Sequence, residues 1–122
     1  MVLKHDCVRK VLLYLEKTLT LDSFISTQDI QINDYSKEDI VYTIKMLKDA
    51  GYVNAQFCGY DDQQIYYVSS LTWSGHQFLD NIRDNAVWRK TKSILSKFAS
   101  VSLEITSQVA SQVITNLISK ST

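Results

Sequence analysis

The stretch from Ser36 to Ser69 limits the possible folds more than any other part of the chain. It opens on a capping signal, Ser36 followed three residues later by Asp39. The serine hydroxyl can accept the Asp39 amide, and the Asp39 side chain can reach back to Ser36. Tyr35 and Ile40 occupy the two positions of a hydrophobic staple. Ile40, Ile44 and Leu47 then recur at helical spacing with Val41 beside them. Gly51 stands where a helix end wants a left-handed residue. Together these signals predict a helix over 37–50. The period then changes at once. Residues 52–58 and 64–69 are rich in aromatic and β-branched side chains and read as two strands, with 59–63 as the turn between them. A lone hairpin is marginal in water, so it has to lie on an apolar surface. Alternation assigns Val53, Phe57, Ile65 and Tyr67 to the covered face and turns Tyr66 the other way.

The rest of the chain supplies that surface. Residues 7–19 carry Val8, Val11, Leu12, Leu15 and Leu19 on one helical face, with Asp6 as the N-cap. Residues 24–33 alternate loosely and fit a short edge strand with a turn or short helix beside it. Thr72 caps a long helix through Phe78, Leu79, Ile82 and Ala86 to about Phe98. Trp88 falls off that stripe and marks a bend or a second contact surface. A last helix starts near Ser100 or Ser102. Its apolar residues Ile105, Val109, Ala110, Val113, Ile114, Leu117 and Ile118 separate from a polar face that is mostly uncharged. The chain has no proline and three glycines, each expected at a junction.

The order helix, short strand or turn, helix, hairpin, long helix, helix is the winged-helix arrangement. In it, 37–50 is the recognition-type helix and 52–69 the wing. The expected class is α+β, mainly α: a winged helix-turn-helix with a long helix and a C-terminal amphipathic helix. Residues 1–71 form the core. Residues 72–122 form a helical extension that packs on it and oligomerises. At 122 residues the chain has room for one modest core.

Three segments also carry a family resemblance: Leu71 to Arg83 with its Leu-Thr-Trp-x-Gly-His motif, Asp34 to Tyr42, and Lys48 to Gly51. Over roughly residues 3–98 they make the chain resemble a family of small phage and prophage proteins known as domain of unknown function 2513. The resemblance implies phage or prophage origin and is compatible with a winged helix. It brings no activity. Members of that family carry an acidic residue at the position of Gln77 and a histidine at that of Thr43. A role of either residue in the family therefore does not transfer to this chain.

Charge argues against the simplest function for such a fold. Lysines plus arginines equal aspartates plus glutamates at 13 each, whereas nucleic-acid binders usually carry a basic excess. Residues 1–71 hold 7 basic and 10 acidic side chains, and residues 72–122 hold 6 and 3. The outer face of helix 37–50 presents Lys37, Glu38, Tyr42, Lys45, Met46 and Asp49. A major-groove reader wants Arg, Lys, Asn or Gln there. The wing tip is Asp61 and Asp62, which repel phosphate. Tyr60, Asp61, Asp62 and Tyr66 instead suit a protein interface. Arg83, Lys90 and Lys97, seven apart, form one stripe along the long helix. That stripe reads first as a solvated face and second as a contact for phosphate or an acidic partner.

Other chemistry finds little footing. His5 and His76 have no second ligand at metal spacing, and His76 reads as a packed, hydrogen-bonded residue. Gly75 is expected to permit close approach of another element. Cys7 and Cys58 read as free thiols at packed positions. No catalytic motif, metal site or cofactor site is present. No apolar run spans a membrane, and the charged start lacks a signal peptide's apolar core. The expected location is the cytoplasm of a bacterial host cell. Ile105, Val109, Val113 and Leu117 are the expected homo-oligomer contact. The expected function is a non-enzymatic binding module acting through protein–protein contacts on a host or phage factor, counter-defence included. The alternative is a DNA-binding regulator of phage or prophage genes.

Overall fold

The computed structural model describes residues 1–59 and 62–121. The elements, in chain order, are α1 (His5–Thr18), β1 (Ile25–Ser26), a 3-10 turn (Thr27–Asp29), α2 (Lys37–Asp49), β2 (Val53–Phe57), β3 (Tyr66–Leu71), α3 (Trp73–Ile82), α4 (Asn85–Leu95) and α5 (Leu103–Ser121). The fold is α+β and mainly helical. It divides into two compact units, Met1–His76 and Gln77–Thr122, with the division falling inside α3.

In the first unit the three strands form one antiparallel sheet in the order β1-β3-β2. Helices α1 and α2 pack on each other, α1 also on β3 and α2 on β2. Cys7, Val8, Val11, Leu12 and Leu15 of α1 are buried, as are Ile40, Ile44 and Leu47 of α2. The capping signal works as the sequence predicts. Ser36 Oγ accepts from the Asp39 amide at 3.1 Å, and the Asp39 carboxylate bonds back to the Ser36 backbone. Gly51 adopts φ +81° after the last turn of α2, a conformation that costs any residue with a Cβ. The short edge strand and the one-turn helix expected within 24–33 are β1 and the 3-10 turn. At α1, in contrast, Asp6 is not the cap. The helix starts at His5 behind Lys4, whose side chain makes no capping bond, and Asp6 lies in the first turn.

The hairpin face differs from expectation. Tyr66, Val68 and Leu71 of β3 are buried, whereas Tyr67 is 38% exposed and Phe57 51% exposed. Two forces set this register. The Tyr66 amide donates to the buried Thr27 hydroxyl at 3.1 Å, which ties β3 to the 3-10 turn. A bulge opposite Asn54 and Ala55 then shifts the pairing by one residue and returns Leu71 to the core, opposite Val53. A one-residue slip moves a whole strand face, so Tyr66 points inward and Tyr67 outward.

The long helix expected from Thr72 to Phe98 is two helices. Thr72 is the N-cap of α3, its Oγ1 accepting from the Gly75 amide at 3.0 Å. The chain breaks after Ile82, and Asp84 caps a new helix by accepting from the Val87 amide at 2.9 Å. The break re-aims the following turns, so Val87, Trp88 and Thr91 of α4 are buried. The off-stripe position of Trp88 is thus the sign of a new helix. In the second unit α4 packs on α5, which buries Thr106, Ala110 and Val113. Ser102 starts α5 by accepting from the Ile105 amide at 3.2 Å.

Candidate functional site

The outer side of α2 faces the 3-10 turn and the end of the hairpin across an open groove of about 600 Å³. Lys37, Glu38, Tyr42 and Lys45 line it from α2, Gln28 from the 3-10 turn, and Gln63, Gln64 and Ile65 from the approach to β3. Four of the six side chains expected on the recognition face therefore gather in one place. Met46 and Asp49 do not line the groove; Met46 is half-buried and Asp49 exposed.

Lys37 has a different role from the one its position implied. Its ammonium donates to the carbonyl of Gln28 at 2.7 Å, of Ile30 at 2.9 Å and of Thr27 at 3.3 Å. Those are the carbonyls that the 3-10 turn leaves without helical partners, and a cation there also meets the negative end of the turn. The amine is committed to holding the chain. Of the two lysines lining the groove, Lys45 carries the amine that remains for a partner, and Glu38 stands on the same helix seven residues, about two turns, away. Gln28 Nε2 donates to Gln63 Oε1 at 3.1 Å across the mouth. The groove is therefore amide-rich, with two lysines and one glutamate in its lining and Tyr42 half-buried in its wall.

The expected wing residues are distributed differently. Tyr60 and Asp61 lie outside the described residues. Asp62 is exposed with φ +65°. Tyr66 is buried beside Phe57, with ring centroids 5.2 Å apart, so it offers no surface to a partner. Its neighbour Tyr67 takes that place, edge-on to Phe24 at 5.5 Å on the outer side of the sheet. Alternation puts Tyr67 on the covered face and Tyr66 outside; the Thr27 bond and the bulge reverse the two. Gln28, Gln63 and Gln64 were missed because nothing at the sequence level brings residue 28 to residue 63.

The basic stripe is not a stripe. Arg83 sits in the break between α3 and α4 and pairs with Asp80 at 3.1 Å, Lys90 is on α4, and Lys97 follows its end. Spacing by seven has meaning only within one helix. Of the expected oligomer contacts, Val113 is buried within its own unit, whereas Ile105 and Leu117 are exposed and Val109 is half-buried.

The family motif separates into scaffold and surface. Thr72 Oγ1 donates to the Gly51 carbonyl at 2.6 Å and its amide to the Tyr52 carbonyl at 3.0 Å. A Cβ on Gly75 would run into that same Tyr52 carbonyl, so the glycine permits the close approach expected of it. Trp73 is 78% exposed. His76 is exposed too, contrary to a packed role, because the close contact is made one residue earlier.

Cys7 is buried beside Thr43, and burial pushes its thiol up from the ordinary range. Cys58 is exposed at the end of β2, not packed as expected. Among the described residues, no group of three or more His, Cys, Asp or Glu side chains is placed to hold a metal ion. No described helix is long and apolar enough to cross a membrane.

Fold and surface thus define a small, mainly helical α+β protein with a polar, amide-lined groove on α2. The chain belongs to the family described as hypothetical protein DUF2513, whose model matches residues 3–102. The match stops at the N-cap of α5. An uncharacterized protein of Haemophilus influenzae (strain ATCC 51907 / DSM 11121 / KW20 / Rd) is 31% identical over 120 residues, covering 93% of this chain and 95% of its own length. No solved structure matches the chain.

Proposed function

We propose that the protein is a non-enzymatic winged-helix binding module of phage or prophage type. In this reading it works in the bacterial cytoplasm, through protein–protein contacts on a host or phage factor. The order α1, β1, 3-10 turn, α2, β2, β3 with sheet order β1-β3-β2 supports the winged-helix assignment, with α2 in the recognition position. One observation carries the choice of partner. The Lys37 amine donates to three backbone carbonyls, so its N–H groups are engaged within the chain, and the three lysines of α2 are matched by Glu38, Asp39 and Asp49, which gives the helix no basic excess to offer a phosphate backbone. Phosphate contacts supply most of the affinity of a DNA binder. A groove lined by amides and a tyrosine suits a polypeptide. Self-association belongs to the same reading. The exposed apolar residues of α5 and the open edge of β2 are surfaces that support it.

DNA binding is the second reading. The glutamine amides at the groove support it, because a Gln amide can pair with the N6 and N7 positions of adenine. Fluorescence anisotropy of labelled random-sequence duplex, titrated from low to physiological salt, tests between the two. The protein-binding reading predicts no saturable binding at low salt. Binding that weakens with salt and with Lys45→Ala overturns it.

A further inference from the structure

We infer that β2 is the contact through which two copies of this chain pair, as antiparallel strands centred on Ala55. The inference rests on the self-association proposed above and assigns it a place and a register.

The sheet order β1-β3-β2 leaves two edges. The β1 edge is two residues long, too short to template a strand. The β2 edge is five residues long and reads Val-Asn-Ala-Gln-Phe. Edges are normally blunted by charge or proline, and β2 has neither. The hydrogen bonds show which of its groups face outward. The Tyr52 carbonyl accepts from the Thr72 amide, the Asn54 carbonyl from Ser69 Oγ, and the Cys58 amide donates to the Ile65 carbonyl. Residues 52, 54 and 58 thus turn their backbone towards β3. Backbone groups alternate along an antiparallel strand, so Val53, Ala55 and Phe57 turn theirs to the open side. A separate open groove of about 940 Å³ crosses the outer face of the sheet, from Phe24 and Tyr67 to Asn54 and Gln56 of β2, and leaves the edge itself uncovered.

The five residues are symmetric in chemistry: apolar, amide, small, amide, apolar. A two-fold axis through Ala55 sets Val53 opposite Phe57 of the second copy, Asn54 opposite its Gln56, and Ala55 opposite its Ala55. In this register each outward-facing residue exchanges two backbone hydrogen bonds with its opposite number. Side amides meet side amides, apolar groups meet apolar groups, and no charge faces a like charge. A contact of this kind is isologous and closes at two copies.

The test uses the full chain with Cys58→Ser, which leaves the buried Cys7 as its native thiol. In this register the two Ala55 Cα atoms are about 5.5 Å apart and those of Asn54 and the opposite Gln56 about 4.5 Å, both within disulfide reach. Ala55→Cys in that background is expected to give a disulfide-linked dimer under mild oxidation. Asn54→Cys and Gln56→Cys each stay unlinked alone and link when mixed. In sedimentation the unmodified chain is expected at twice its monomer mass. Ala55→Asp, which sets two carboxylates face to face, returns it to monomer with unchanged far-ultraviolet dichroism. A chain that is monomeric throughout overturns both the pairing and self-association. A dimer that survives Ala55→Asp, with no link through Ala55→Cys, overturns the pairing alone; its loss with Leu117→Glu then assigns self-association to α5.

Discussion

The ammonium of Lys37 lies 2.7 Å from the carbonyl of Gln28 and secures the end of the 3-10 turn to the first turn of α2. The most obvious cation on the recognition-type helix is therefore a structural one. Lys37→Met should cost about 1.5–3 kcal/mol, the range for hydrogen bonds to a charged group. A chemical-denaturation midpoint checks this.

The hairpin register makes a paired prediction. Tyr66 is 5% exposed and Tyr67 38% exposed. Tyr66→Ala should destabilise the chain by about 3–5 kcal/mol, as for other large aromatic truncations in a core. Tyr67→Ala should cost roughly 1 kcal/mol or less, the range for positions away from the core. Equal losses in thermal or denaturant unfolding would mean that the strand faces are not as described.

Gly75→Ala is expected to be far worse than a helix-interior change from glycine to alanine normally is, since that exchange usually favours the helix. The added methyl meets the Tyr52 carbonyl, which also accepts the Thr72 amide. A loss of about 1–3 kcal/mol, the scale of overpacking, should appear as a lower unfolding midpoint. A gain in stability would show that the two backbones are not in contact.

Asp39 gives the pH dependence. Its hydrogen bond from Lys4 at 3.0 Å, with the bond to Ser36, holds its carboxyl below the ordinary aspartate range. A depressed carboxyl stabilises the folded state above the unfolded value of about 3.9. That contribution fades as pH falls through the lower folded value. The unfolding midpoints of the wild type and Lys4→Met should differ at pH 7 and converge in strong acid. A difference that grows on acidification would mean that folding raises the Asp39 carboxyl instead of lowering it.

The sequence made local, one-dimensional features legible. The Ser36–Asp39 cap, Gly51, the Thr72 cap and the close approach at Gly75 each depend on residues near one another in the chain or on a special backbone shape. Features that need distant partners were hidden. Tyr66 and Tyr67 exchange faces through a bond from Thr27 and a bulge. Lys37 looked like a surface cation because nothing in the sequence shows the carbonyls of residues 27, 28 and 30 converging on it. The break at Asp84 was written as an N-cap residue in mid-pattern, but a continuous apolar stripe through Ala86 outweighed it. The groove's glutamines come from segments 35 residues apart.

The central claim is that the groove on α2 receives a polypeptide. The most direct measurement places a photo-crosslinking amino acid at Tyr42, inside the groove, and another at Ser93 on α4, outside it, and irradiates host cells expressing each form. The account predicts a discrete nuclease-resistant, protease-sensitive adduct from position 42 and none from position 93. A nuclease-sensitive adduct at 42, or the same adducts from both positions, would contradict it.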